Sequence, residues 1–327
     1  MSGWHESDVI RLINEMFPCR DDILDRGIGD DCAVFRRSQH LISTDASIQG
    51  VHFNLDWMTP GEAAYRCLSS NISDIAAMGA NPGAFTLALG LPADMTFEDI
   101  RGIFLNLRQC IADHDLDVCW LVGGDVVRSP ILMFSVTILA ELPPWPIICR
   151  NGALPDDRIL ALGHIGHSAA GLELFEKNLS TQPGFEPLLD AFRRPKACVH
   201  AGMRLAELGL VSSMMDLSDG IYTDLPRLLA ESHCGADVDV TGLVPDKLLD
   251  DAASVCRVDP RDWMVFGGED FCLLVTAPDK NIPNIHKVAQ DFELPCYHIG
   301  ICRRGDAISW YENHQKMTRN NRSFSHF

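Results

Sequence analysis

Basic residues are scarce in this chain of 327 residues: 27 Lys and Arg stand against 45 Asp and Glu, for a formal net charge of -18. That deficit excludes a broad basic face, because nucleic-acid binding rests on Lys and Arg neutralising phosphates. No nucleic-acid partner is expected. Paired cysteine motifs are also missing. The 12 cysteines include no C-x-x-C pair and scatter from Cys19 to Cys302. Several lie in apolar segments, such as Cys119 within Val118-Cys119-Trp120-Leu121-Val122 and Cys272 after Phe271. Such thiols read as small buried hydrophobes rather than disulfides or zinc ligands, and they fit a reducing cytoplasm. Long apolar runs are absent too. The longest, residues 131–140, meets Glu141 and a proline cluster and is too short to span a bilayer, so no membrane role is expected. Met1-Ser2-Gly3-Trp4-His5-Glu6 has no basic region followed by an apolar one, so no signal peptide is expected.

Familiar nucleotide and hydrolase motifs are missing as well. No stretch matches G-x-x-x-x-G-K-[ST], no protein-kinase catalytic loop is present, and Gly27-Ile28-Gly29 lacks the third glycine of a dinucleotide fingerprint. Without G-x-S-x-G there is no α/β-hydrolase elbow, and the histidines lack the spacing of a helix-borne zinc pair.

What the chain does have is aspartate beside glycine or hydroxyl residues. The motifs read Gly27-Ile28-Gly29-Asp30-Asp31, Ser43-Thr44-Asp45, Asn71-Ile72-Ser73-Asp74, Gly123-Gly124-Asp125, Asp216-Leu217-Ser218-Asp219-Gly220 and Gly267-Gly268-Glu269-Asp270. Any one of them could be a turn, since Asp bonds its own backbone there. Asp74 is different, because it falls late in an expected helix, where an acid opposes the helix dipole. Carboxylates gathered this densely repel one another unless cations join them, and Mg2+ typically bridges carboxylates to substrate phosphates. The set therefore points to a metal-bridged phosphate site.

Three prolines among Pro143-Pro144-Trp145-Pro146 stop a strand and stiffen a connector, so two domains are expected, 1–143 and 147–327. Strands are expected at 41–43, 85–91, 118–122 and 131–140, with the acidic residues following at strand ends. Thr59-Pro60-Gly61-Glu62 signals a capping box opening a helix over about 60–78, stopped by Gly79. On it Asn71 and Asp74 share a face. Thr96 caps a second helix over 97–113. The second half alternates likewise, with strands at 158–162, 213–215 and 271–276 and helices at 168–176, 197–208 and from Gly220 to about 232. The fold class is α/β (α+β).

This motif series resembles the thiamine-monophosphate kinases, members of an ATP-binding superfamily that includes aminoimidazole ribonucleotide synthetase, selenophosphate synthetase and the hydrogenase-maturation dehydratase. The similarity runs from about residue 23 to 327. Gly50-Val51-His52-Phe53 and the aromatic C-terminal tail point to the kinases among these relatives. The resemblance implies two α/β domains, a homodimer paired through its N-terminal domains, and transfer of the ATP γ-phosphoryl group to thiamine monophosphate with several Mg2+ ions. It implies that Asp31, Ser43, Thr44, Asp45, Asp74, Asp125, Asp216 and Asp219 hold metal. Gly124, Asp125, Arg150 and Ser218 contact ATP. His52, Glu269 and Phe324 hold the thiamine. Asp74, Asp216 and Arg150 are the residues expected to matter most for catalysis, and no general base is assigned. Val126, Val127, Ala46 and Phe324 depart from the family's usual residues. A cyclase acting on formylglycinamidine ribonucleotide and a non-catalytic metal- and nucleotide-binding scaffold are the alternatives.

Overall fold

A computed structural model describes residues 24–26, 30–35 and 39–317. The Gly27-Ile28-Gly29 motif and Phe324 lie outside the described residues. Two mixed sheets carry the fold. The first is built from β1 (Leu24–Arg26), β2 (Ala33–Phe35), β3 (His40–Ile48), β4 (Pro82–Leu91), β5 (Trp120–Arg128) and β6 (Met133–Glu141), in the order β1-β2-β3-β6-β4-β5. All its pairings are antiparallel except β4 with β5. The second contains β7 (Arg158–Leu162), β8 (Ser213–Leu217), β9 (Cys234–Asp239), β10 (Cys272–Ala277), β11 (Cys296–Glu312) and β12 (Gln315–Lys316). Its order is β12-β11-β7-β10-β8, with β9 parallel to β11.

Helix α1 (Pro60–Ala77) joins the halves. Its capping box forms as the sequence predicts: the Glu62 amide donates to Thr59 Oγ1 at 3.2 Å and the Thr59 amide to Glu62 Oε2 at 2.8 Å. Its length is buried nearly all round, because one face packs on β3 and β6 and another meets the second half at β8. Helix α2 (Phe97–Asp113) begins at a second capping box, Thr96 with Asp99, and lies on α1. Helices α3 (His167–Glu176), α4 (Glu186–Arg193), α5 (Val199–Glu207), α6 (Ile221–Glu231), α7 (Lys247–Cys256), α8 (Pro260–Phe266) and α9 (Ile282–Asp291) complete the second half. Helix α5 approaches α1 closely at Gly202, where a Cβ would stand 2.3 Å from the Ala76 carbonyl oxygen. One core of buried side chains runs from Leu41 and Phe134 through Leu68 and Ile72 to Met215 and Leu274.

Two strands run longer than expected. Strand β3 continues through Thr44 and Asp45 to Ile48 because β6 pairs with it along its whole length. Strand β5 carries Gly123-Gly124-Asp125 inside the ladder, Gly124 opposite Leu87, rather than after the strand. At Gly124, with φ +153, a Cβ would sit 1.9 Å from the Leu87 carbonyl oxygen, so only glycine lets β4 and β5 pair here.

Candidate active site

The carboxylates converge where α1 meets β8. Asp31 comes from the bend between β1 and β2, Asp74 from α1 and Asp216 from β8, and one oxygen of each lies within 4.8 Å of the others. Alternation along β3 turns Ser43 and Asp45 to the same face. Ser43 Oγ donates to Asp74 Oδ2 at 2.5 Å, and the Asp45 amide donates to Asn71 Oδ1 at 3.2 Å. Asn71 and Asp74 thus both touch β3 from one helix face. Asn71 is oriented by donating to the Cys67 carbonyl at 2.8 Å.

Burial foremost, and then Asp45, Asp216 and Asp31, push the Asp74 carboxyl well above the usual range, with Ser43 opposing. Burial, followed by Asp31 and Asp224, does the same to Asp216. Asp45 is raised by burial and by nearby Asp219, with Ser70 opposing. Buried acids that raise one another in this way carry excess negative potential, and a cation relieves it. The donors are all hard oxygens, which suits Mg2+.

Arg150 reaches this cluster from the connector between the sheets. It holds Asp31 with two bonds, Nη2 to Oδ1 at 2.6 Å and Nε to Oδ2 at 3.2 Å, a bidentate geometry only Arg provides. Its amide also faces Asp30, whose carboxyl rises to about 6 through burial and the charge of Asp31. Asp219 lies two residues past the end of β8, paired with Arg227 Nη1 at 2.5 Å. The Ser218 and Asp219 amides both donate to buried Asp224 Oδ2, at 3.1 and 2.9 Å, which fixes the turn that carries them. The Glu269 amide donates to the Ser218 carbonyl at 2.7 Å, so the two acidic loops of the second half lie side by side.

Some expected residues stand apart from the three-carboxylate cluster. The Thr44 side chain points to the opposite face of β3 and donates to the Val136 carbonyl at 2.8 Å, so its hydroxyl is not brought to the cluster. Asp125 lies on exposed β5, accepting from the Val126 amide at 2.9 Å. His52 follows β3 in a turn and accepts from the Ile48 amide through Nδ1 at 3.1 Å, which leaves the ring proton on Nε2. Glu269 has φ +64 and forms an ion pair with Arg66 of α1. Arg66 and Asp224 escaped the sequence reading. The signal available for Arg66 was its place as the one Lys or Arg in helix α1.

The chain matches the family model for AIR synthase related protein, N-terminal domain, over residues 29–142, and that for the C-terminal domain over residues 155–310. A thiamine-monophosphate kinase of Corynebacterium glutamicum is 35% identical over 83% of this chain and 81% of its own length. The thiamine-monophosphate kinase of Escherichia coli strain K12 is 32% identical, covering 98% of this chain and 97% of its own. The chain belongs to the thiamine-monophosphate kinase family. A crystal structure of the thiamine-monophosphate kinase from Stenotrophomonas maltophilia is 30% identical and superimposes with a TM-score of 0.73, covering 97% of this chain and 98% of that one. The structure described as AaThiL complexed with AMPPCP and TMP shares the fold, with a TM-score of 0.84 at 24% identity, over 99% of this chain and 97% of that one. In this kinase family member the carboxylates sit between the two matched regions, with Asp31 and Asp74 in the first and Asp216 in the second.

Proposed function

We propose that this protein transfers the γ-phosphoryl group of ATP to the phosphate of thiamine monophosphate, giving thiamine diphosphate and ADP. The observation that carries this reading is the Asp31–Asp74–Asp216 cluster, with Asp31 and Asp216 buried, flanked by Ser43, Asp45 and Asp219 and closed on one side by Arg150. The acceptor is a phosphate oxygen, already deprotonated at neutral pH, so no side chain need take a proton. The acceptor oxygen forms a bond to the γ-phosphorus while the bond to the ADP β-phosphate oxygen breaks, and ADP leaves with the electron pair. The obstacle is bringing two polyanions together. Asp31, Asp74 and Asp216 would hold one Mg2+ ion, and Asp45, Asp219 and Asp125 would serve further ones; bound ions would supply charge neutralisation and alignment of the phosphates.

The chain's own residues do the rest. Arg150, fixed by Asp31, presents a pre-oriented cation at the edge of the cluster, and the Gly124-Asp125 backbone and Ser218 are the proposed further contacts to the nucleotide. Glu269 keeps about a third of its side chain exposed beside Arg66 and can face the cationic ring of thiamine. His52 offers a donating Nε2. The divisions 1–143 and 147–327 are kept as the two domains. The free thiols, most of them buried, fit work in a reducing cytoplasm.

A homodimer belongs to the same reading. Every residue of β5 is exposed at the edge of the first sheet, and Trp120, Val122, Val126 and Val127 are among them. An apolar edge strand of nine residues invites pairing with another strand, and a second copy of this chain is the proposed partner.

The test is ATP-dependent formation of thiamine diphosphate from thiamine monophosphate by the purified protein with Mg2+. Formylglycinamidine ribonucleotide serves as the contrasting substrate. Turnover of the latter alone, or of neither, overturns the proposal.

A further inference from the structure

A second cluster of metal-ligating side chains lies outside the acidic one. His164 stands in the turn after β7, His167 is the first residue of α3, and Asp246 is the N-cap of α7. One ligand atom from each falls within 4.8 Å of the others. The two imidazole rings are 5.1 Å apart between centroids. His167 Nε2 and Asp246 Oδ2 are 2.8 Å apart. Asp246 divides its oxygens cleanly: Oδ1 accepts from the Leu249 amide at 2.8 Å and caps α7, leaving Oδ2 to face His167.

A hydrogen bond joining α3 to α7 accounts for His167 and Asp246. It leaves His164 unexplained, an imidazole whose ring nitrogen reaches the same point. The chemistry differs from that of the first cluster. Three carboxylates suit a hard cation such as Mg2+, whereas two imidazoles and one carboxylate suit a borderline ion such as Zn2+, with the remaining position open to water.

We infer that His164, His167 and Asp246 form a binding site for a borderline divalent transition-metal ion, of which Zn2+ is the type, separate from the acidic cluster. The ion would clamp the start of α3 to the start of α7. The site is mechanically linked to the cleft. The Gly166 and Ser168 amides, on either side of His167, donate to the two oxygens of buried Asp270 at 2.6 and 2.9 Å. Asp270 adjoins Glu269, and Glu269 and Phe271 both have positive φ. Metal at the histidines therefore stiffens the segment on which that strained loop is anchored.

The experiment adds Co2+ as a spectroscopic stand-in for Zn2+ to the full-length protein with Mg2+ in excess, so that the carboxylate cluster is occupied. One equivalent of Co2+ should give visible absorption bands of a four-coordinate site, and one equivalent of Zn2+ should displace them. His164→Ala, which alters an exposed side chain, should abolish the bands while leaving the circular dichroism spectrum unchanged. His167→Gln should abolish them too, and Asp74→Asn should retain them. No bands in the parent protein, or bands that survive His164→Ala, overturn the assignment.

Discussion

Arg66 and Glu269 form an ion pair that ties helix α1 to the loop between α8 and β10. The Arg66 side chain is 5% exposed, and that of Glu269 is 36% exposed. Arg66 also donates to the Phe192 carbonyl and lies over the Phe192 ring, 4.5 Å from its centroid. Removing one partner of a fully buried pair costs about 3–5 kcal/mol, and the exposure of Glu269 brings the expectation here to about 2 kcal/mol. Arg66→Met should lower stability by that amount in urea denaturation. Glu269→Gln should cost a comparable amount, because it leaves the buried Arg66 charge without its counter-ion while sparing the contacts to Phe192, and should raise KM for thiamine monophosphate more than it lowers kcat. A loss below about 0.5 kcal/mol for Arg66→Met places the pair with ordinary surface bridges and refutes the argument.

Asp74→Asn and Asp216→Asn separate stability from activity. Each replaces a carboxyl whose ionised form is disfavoured by burial first and then by neighbouring acids. In chelator, at a pH where the parent carboxyl is ionised, each variant should melt higher than the parent, by about 2–4 °C for a relief near 1 kcal/mol. With Mg2+ and substrates, each should lose activity on the order of 100-fold or more, since even outer partners of a metal site cost 10–100-fold. Differential scanning calorimetry and a product assay on the same preparations check both directions. Unchanged turnover in both variants removes these residues from the site.

Local signals made the helices legible. Thr59 with Glu62 and Thr96 with Asp99 are capping boxes written in four residues each, and both helices start where they predict. The acidic motifs were legible too, because Asp74 in a helix's last turns needs a reason beyond turn chemistry. What escaped depends on pairing across the chain. The run Ser43-Thr44-Asp45 looks like a strand end, yet the ladder to β6 carries it onward, and the alternation that follows sends Thr44 away from Ser43 and Asp45. Strand β11 was missed because Gly300 and Arg303-Arg304-Gly305-Asp306 interrupt any simple alternation, and its pairing with β9 shifts register there. The Arg66–Glu269 pair joins distant segments and leaves no spacing to read.

The acids of the cleft also set a pH dependence. Asp270 is pushed from 3.8 up to about 7 by burial above all, with Glu269 adding and the Gly166 and Ser168 amides and Arg66 opposing. Asp74 and Asp216 lie well above the usual range. A folded-state pKa above the unfolded value means that the fold holds the proton more tightly. The stabilisation is therefore complete below the unfolded pKa and is lost as pH rises through the folded one. In chelator, Tm should fall as pH rises from about 4 to 7, and ionisation of Asp74 and Asp216 should add to the fall. Mg2+ favours the ionised forms of those two and should flatten their share of that slope. Asp270→Asn should flatten only the part ending near pH 7. A Tm in chelator that climbs across this window contradicts the assignment.

Strand β5 gives the last prediction. Among the described residues no strand pairs with its edge away from β4, and Val122 and Val126, on one face by strand alternation, are 64% and 63% exposed. Both are mostly uncovered by the described residues, so changing them should cost the single subunit little. If a second copy covers this strand, a charge at Val122 must either be buried without a partner or force the strands apart. Val122→Lys should then convert a dimer to a monomer in light scattering coupled to size exclusion. Val126→Glu should do the same, and a mixture of the two variants should recover part of the dimer because the introduced charges are of opposite sign. Cys119, the residue just before the strand, is buried in its own subunit, so Cys119→Ala should leave the oligomeric state unchanged while costing stability. A parent protein that runs as a monomer at all concentrations, or a Val122→Lys variant that stays dimeric, moves the interface away from β5.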